Sequence, residues 1–135
     1  MSTYAPVHTS QFNALSLKFN GQGAIGTVPA GTTADIDLLV TADHLLTGGV
    51  VISSGAAFGD KATLQVVDVG GTYASAGTVL NQFVTNWYVS EAPLVLEVDY
   101  PAKILAGLTL RLKFTSTGGA EVKAAANYML HKVTF

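Results

Sequence analysis

The sequence predicts an all-β protein, an antiparallel β-sandwich of about eight strands with at most two short helical turns. Apolar and polar residues alternate in several short segments, as they do when a strand buries one of its two faces. Turn signals rich in Gly and Pro separate these segments at short intervals. The 135 residues are enough for one domain with a hydrophobic core of its own.

The alternating segments supply the individual strands. In 108–114, leucines and Phe114 alternate with Thr109, Arg111 and Lys113, which predicts one apolar face and one polar, basic face. The same alternation predicts strands at 15–19, 36–40 and 94–98, and related patterns predict further strands at 49–54, 60–68 and 121–134.

Segment 79–87 fits two patterns. Val79, Phe83 and Trp87 share one face of a helix, and they also share one face of a strand. The β-branched and aromatic content of the segment favours a strand. Two short helical turns are expected at 43–46 and 101–105, because each is followed closely by Gly and the second begins with Pro.

Charged residues are scarce in this chain. Lys and Arg number seven and Asp and Glu nine, so 12% of the residues are charged, where an average domain has about 25%. A net charge of −2 excludes an electrostatic nucleic-acid binder, which needs a basic face. No apolar run approaches the roughly 18–20 residues of a membrane-spanning helix. We therefore expect no nucleic-acid partner and no membrane partner.

Residues 21–26 read Gly-Gln-Gly-Ala-Ile-Gly, which matches the dinucleotide-binding pattern G-x-G-x-x-G. That site needs a helix to begin at the glycines, because the helix N-terminus binds the pyrophosphate. The following residues, Thr27-Val28-Pro29-Ala30-Gly31, cannot form that helix. We interpret 21–26 as a flexible loop between strands.

No residue set in the sequence indicates catalysis, a metal or a cofactor. The two acidic pairs, one on each of two predicted strands, have no partners that would complete an acid–base or cation site, and Arg111 with Lys113 makes only a small basic patch on a solvated face. The three histidines lack metal-ligand spacing, and there is no Cys nucleophile. We expect a protein that is not an enzyme. The residues considered are Asp35, Asp37, Glu97, Asp99, His8, His44 and His131.

The shortage of charge predicts a chain that buries surface in a homo-oligomer, because interface cores are depleted of charged residues. Consecutive strand residues face opposite sides, so either Trp87 or Tyr88 is expected at a surface or an interface. The segment ending at Phe135 is apolar on both faces. Residues 1–11 are polar and unpatterned, and we expect an extended arm anchored on a neighbouring chain by Tyr4, followed by a sandwich domain over 12–135.

Three phrases in the chain, at 59–68, 100–118 and 127–132, resemble those of small β-sandwich structural proteins in the virions of tailed bacteriophages. The resemblance implies a jelly-roll-like subunit of a head, neck or baseplate that contacts its own copies and other virion proteins. It implies a virion location, and it carries over no catalytic residue. Residues 1–12 show no secretory signal, which agrees with synthesis in a host cytoplasm.

An alternative function is a carbohydrate-binding module on a host-recognition appendage. A β-sandwich that binds sugars needs an exposed aromatic side chain with polar neighbours. Trp87 or Tyr88 would stack on the glycan, with Thr85 and Asn86 beside them.

Overall fold

A computed structural model describes residues 18–54, 59–88 and 94–133. The predicted all-β class is confirmed, because these residues form eight strands and no helix. Accordingly, none of the described residues belongs to a helix long and apolar enough to cross a membrane. The strands are β1 (Lys18–Val28), β2 (Thr33–Leu39), β3 (His44–Ser54), β4 (Lys61–Asp68), β5 (Thr78–Tyr88), β6 (Leu94–Ile104), β7 (Thr109–Thr115) and β8 (Val122–Lys132).

The strands form two four-stranded sheets that pack as a sandwich. The first sheet has the order β1-β8-β3-β6 and the second has the order β2-β7-β4-β5, and every pairing is antiparallel. Only β4 and β5 are neighbours both in sequence and in a sheet. Most connections therefore cross between sheets, and the fold is a jelly roll.

The core lies between the inner faces of the two sheets. Along β8 every second residue is buried, and the largest of these is Tyr128. Among the described residues of the second sheet, Phe114 of β7 is the largest fully buried side chain. The alternation in the sequence thus predicts correctly which face of these strands is buried. The other large, fully buried side chains are Leu46, Leu64, Ile104, Leu110, Leu112 and Leu130.

The predicted helical turns at 43–46 and 101–105 are wrong. His44 begins β3, and Pro101 lies inside β6, which continues to Ile104. His44 pairs with Ile104 on one side and with Lys132 on the other. Cross-strand pairing and burial of the apolar residues in the core outweigh the local Pro and Gly signals. In contrast, the strand predicted at 79–87 is confirmed as β5.

The glycines of 21–26 lie inside β1, so the prediction of a loop there is wrong. The turn signals at 20–21 and 48–49 also lie within strands. A Cβ atom at Gly26 would lie 2.7 Å from Cγ1 of Ile36 in the other sheet, and a Cβ atom at Gly49 would lie 2.7 Å from the carbonyl oxygen of Asn127. Both glycines permit close packing and do not reverse the chain.

Gly49→Ala tests this packing. The added methyl group would collide with the backbone of β8, so we expect the free energy of unfolding to fall by about 1–3 kcal/mol. The matched control is Gly119→Ala, where a Cβ atom would meet nothing within 4 Å. Chemical denaturation of both variants measures the difference. Equal stability of the two variants would contradict the proposed role of Gly49.

Tyr128→Phe tests a second feature of the core. The Tyr128 hydroxyl is buried and has no hydrogen-bond partner among the described residues, and burial raises the pKa of this phenol. Removing a buried, unsatisfied hydroxyl relieves its desolvation cost, so we expect stability unchanged or raised by about 1 kcal/mol. Thermal unfolding measures the effect. A clear loss of stability would show that the hydroxyl makes a hydrogen bond.

Candidate interaction surface

The structure places the four predicted interface residues as follows. Tyr4 and Phe135 lie outside the described residues, as does the predicted arm 1–11. Trp87 and Tyr88 end β5, an edge strand of the second sheet, where their backbones pair with Ala62 and Lys61. The structure describes the backbone alone at both aromatic residues, so their interface role stays a prediction.

The predicted basic patch of Arg111 and Lys113 is neutralised by carboxylates. Arg111 donates two hydrogen bonds to Asp37, from Nε to Oδ1 at 2.9 Å and from Nη2 to Oδ2 at 3.0 Å. The Nζ atom of Lys113 lies 3.3 Å from Oδ1 of Asp35. The register of β2 with β7 sets these pairs opposite one another. The hydrogen bond to Asp37 raises the pKa of Arg111. The two cations therefore lie on a polar outer face, as expected, and each is paired with a carboxylate.

Polar pairs continue across the outer face of the second sheet. Thr33 and Thr115 share a hydrogen bond of 2.9 Å between their hydroxyls, and Gln65 donates one of 2.9 Å to Gln82. With the charged pairs, these contacts place groups that water solvates well on this face, where Leu39 of β2 is exposed as well. Glu97 and Asp99, the other predicted acidic pair, lie in β6, where the backbone alone is described.

The outer face of the first sheet exposes several aliphatic side chains, whereas the outer face of the second sheet carries charged pairs. Ile25 of β1 and Ile52 of β3 both pair with Ala125 of β8, so these three residues form one row across three strands. The Ile25 side chain is 85% exposed and that of Ile52 is 51% exposed. Residues directly opposite in antiparallel strands have Cβ atoms about 4.5–5.5 Å apart, so the row is a continuous apolar strip.

A second apolar group extends this strip. Val95 of β6, 66% exposed, pairs with Val50 of β3, which also pairs with Asn127 of β8. Met129, two residues further along β8, is 45% exposed. In the rows of Ala125 and Asn127, every described side chain is uncharged, whereas the row of Met129 contains Glu97, whose backbone pairs with Gly48. We call this surface the apolar face, and its residues are Ile25, Val50, Ile52, Val95, Ala125 and Met129.

Two of the three histidines, which lack metal-ligand spacing in the sequence, lie on adjacent strands. His131 of β8 pairs with Leu45, the neighbour of His44 in β3. Nε2 of His131 lies 3.0 Å from Oγ1 of Thr47, and Nδ1 of His44 lies 2.6 Å from the carbonyl oxygen of Ala42. Burial and the nearby charge of His44 lower the pKa of His131. Within the described parts of the chain, no group of three His, Cys, Asp or Glu side chains is arranged to hold a metal ion.

Sequence reasoning missed the buried Asp68, which organises the loop between β4 and β5. Its carboxylate accepts hydrogen bonds from the backbone N–H groups of Thr72, Tyr73 and Ala74, at 2.7–2.8 Å. The Tyr73 hydroxyl donates to the carbonyl oxygen of Ala106 at 2.7 Å, which ties this loop to the turn before β7. The signal was present in the sequence, because Asp before Gly-Gly is typical of a turn in which the carboxylate binds nearby backbone N–H groups.

Comparison with known proteins finds only distant structural similarity. The chain matches no protein-family model and no curated protein. A crystal structure of Aeromonas hydrophila PliG, a periplasmic lysozyme inhibitor of g-type lysozyme, is 10% identical, with a TM-score of 0.40 over 83% of this chain and 87% of that chain. A structure of infectious bursal disease virus, Gx strain, is 8% identical, with a TM-score of 0.33 over 87% of this chain and 36% of that chain. Neither similarity carries an inference about function.

Asp68→Asn tests the carboxylate that holds the β4–β5 loop. Burial raises the pKa of Asp68, but the backbone N–H groups of residues 71–74 outweigh burial and lower it below the ordinary 3.8. The ionised form therefore stabilises the fold above pH 3.8, and this stability is lost as pH falls through the lowered pKa. We expect the variant to melt at a lower temperature at neutral pH, with the gap closing in acid. Glu121→Gln, at an exposed residue, is the control, and a gap that persists in strong acid would contradict this account.

Proposed function

We propose that this chain is a structural subunit, not an enzyme, and that it works by self-assembly through the apolar face. The observation that carries the proposal is the contrast between the two outer faces of one sandwich. Paired charges and amides lie on the outer face of the second sheet, although that sheet also exposes Leu39, Val79 and Leu80. The described side chains in the rows of Ala125 and Asn127 of the first sheet are uncharged and largely aliphatic.

The apolar face is costly in water. Burial of apolar surface contributes about 25 cal/mol per Å², so Ile25 and Val95, both mostly exposed, would gain most from a partner. Single exposed apolar residues are ordinary, but contiguous ones on neighbouring strands are typical of an interaction site. The low content of charged residues in the whole chain agrees with an interaction site, because the cores of interfaces are depleted of charged residues.

The occupant that we propose is a second copy of the chain. A surface that meets its own copy across a two-fold axis places the groups at the axis near their own equivalents, so a charge at the centre of the contact would be repelled by its like. Glu97 lies in the row of Met129. The described side chains in the next two rows, those of Asn127 and Ala125, carry no charge, so a contact centred on these two rows desolvates no ion there. A strongly charged partner would find nothing complementary at this position.

A place in the virion of a tailed bacteriophage is the finer part of the proposal. It is supported by the resemblance of 59–68, 100–118 and 127–132 to small virion proteins. A jelly roll that self-assembles suits head decoration, a neck or a baseplate, and other virion proteins would then be further partners. The same resemblance supports a virion location after synthesis in a host cytoplasm.

Val95→Lys tests self-assembly through the apolar face. The new charge would have to be buried in an apolar contact without a partner of opposite charge, so we expect self-association to weaken at least tenfold, the equivalent of about 1.4 kcal/mol. The matched control is Leu39→Lys, which places the same charge at an exposed apolar residue of β2 in the second sheet. Analytical ultracentrifugation of the wild type and both variants measures association.

Two results would count against the proposal. If the wild-type chain remains monomeric at high concentration, the proposal of self-assembly is wrong. Equal association of the Val95→Lys and Leu39→Lys variants would show that the apolar face is not the contact. Circular dichroism of each variant separates loss of association from loss of folding.

A further inference from the structure

Each sheet of the sandwich has two edge strands, β1 and β6 in the first sheet and β2 and β5 in the second. An edge strand presents unpaired backbone N–H and C=O groups and can pair with a strand of another chain. Proteins usually oppose such pairing with Pro, charged residues or irregular strands. The four edges of this protein differ in these features.

Three of the edges carry a feature that opposes pairing. β6 contains Pro101, which has no N–H to donate, and the exposed Lys103. β2 carries the two carboxylates of Asp35 and Asp37, both engaged with the neighbouring strand. The register of β5 with β4 shifts at three places, so that edge is irregular.

β1 carries none of these features. It is eleven residues long, and all eleven pair with β8 in one unbroken register. It contains no Pro, and its only charged residue is Lys18, at the first position. Its second edge pairs with no strand among the described residues. A long, regular and nearly uncharged edge of this kind is what strand addition requires.

We propose that β1 pairs antiparallel with β1 of a second copy, which joins two first sheets into one sheet of eight strands. This inference deepens the proposed function, on which it rests, by adding a second self-contact. A chain with one two-fold contact stops at a dimer, whereas two different contacts allow a ring or a shell. Pairing at the β1 edge would therefore provide the second self-contact that a ring or a shell requires and that the apolar face alone does not provide.

Self-pairing suits the residues of β1. Full overlap of the eleven residues places the two-fold axis at Gly23, in the middle of the strand. The two Lys18 residues then lie at opposite ends of the ribbon, roughly 34 Å apart at ~3.4 Å per residue, so they do not repel one another. Paired strands keep their alternation of faces, and the two apolar faces become one continuous surface, with Ile25 next to the junction.

Disulfide trapping tests the proposal, because the chain has no cysteine of its own. Single variants Gly23→Cys and Ile25→Cys place one thiol at or near the proposed axis, where opposite Cα atoms of paired strands are close enough for a disulfide. Leu39→Cys, on the β2 edge, is the control. With an added oxidant we expect a covalent dimer from Gly23→Cys, and from Ile25→Cys only if the register shifts by four residues, which moves the axis to Ile25.

Covalent dimers no more abundant than with Leu39→Cys would overturn edge pairing. Val95→Lys combined with each cysteine separates the two contacts, because it weakens the apolar face and leaves the β1 edge intact. Trapping that survives in this background supports the edge contact even if the apolar-face proposal fails. If Val95→Lys disrupts assembly and no covalent dimer forms through β1, the proposed function is supported and this inference is rejected.

Hydrogen exchange of the wild type gives a measurement that needs no variant. Amides of β1 that point away from β8 should exchange freely in a monomer and become protected in the paired strand. We expect this protection to rise with protein concentration, and to rise in β1 more than in β2. Exchange in β1 that is independent of concentration while the chain associates would overturn the inference.

Discussion

The first sheet depends on β8, the last strand of the chain. β8 pairs with β1 on one side and with β3 on the other, along eleven and ten residues respectively. Its inward residues, from Val122 to Leu130, form one wall of the core. A slip of one residue would turn Tyr128 toward solvent, so burial holds the register firmly.

The register of β8 also creates the surface on the opposite side. Ile25 and Ile52 are far apart in sequence, and they share a row only because both align with Ala125. The same pairing that buries alternate residues of β8 therefore gathers aliphatic side chains on the outer face. Core packing and the candidate interaction surface have one cause, the pairing of β8 with both neighbours.

The distribution of charge explains how a chain with so few ionised residues still presents a solvated face. Arg111 alone contacts two carboxylates, at 2.9 Å from Asp37 and 3.5 Å from Asp35. Exposed ion pairs contribute little to stability, typically up to about 1 kcal/mol. The ladder places ionised groups on the outer face of the second sheet, and for this reason we propose association through the first sheet and its β1 edge.

The sequence by itself determined the class of the fold and the inward faces of β2, β7 and β8. Alternation at 108–114 and 121–134 states which residues are buried, because the two-residue period of a strand is a local property. It also predicted β5 through its β-branched and aromatic residues. The glycines of β1 and β3 were wrongly predicted to lie in a loop or turns. A glycine that reverses the chain and a glycine that allows close approach of a neighbouring strand look alike in sequence.

Only the tertiary structure decided which strands are neighbours. Nearly all pairings in this jelly roll join strands that are not consecutive, and alternation does not encode partners. The sequence therefore indicated Asp35 and Arg111 separately but not their ion pair. It also predicted that the chain buries surface against a partner, but it did not show that the residues of the apolar face lie together. Proximity in space arises from burial of the whole core, which no local pattern contains.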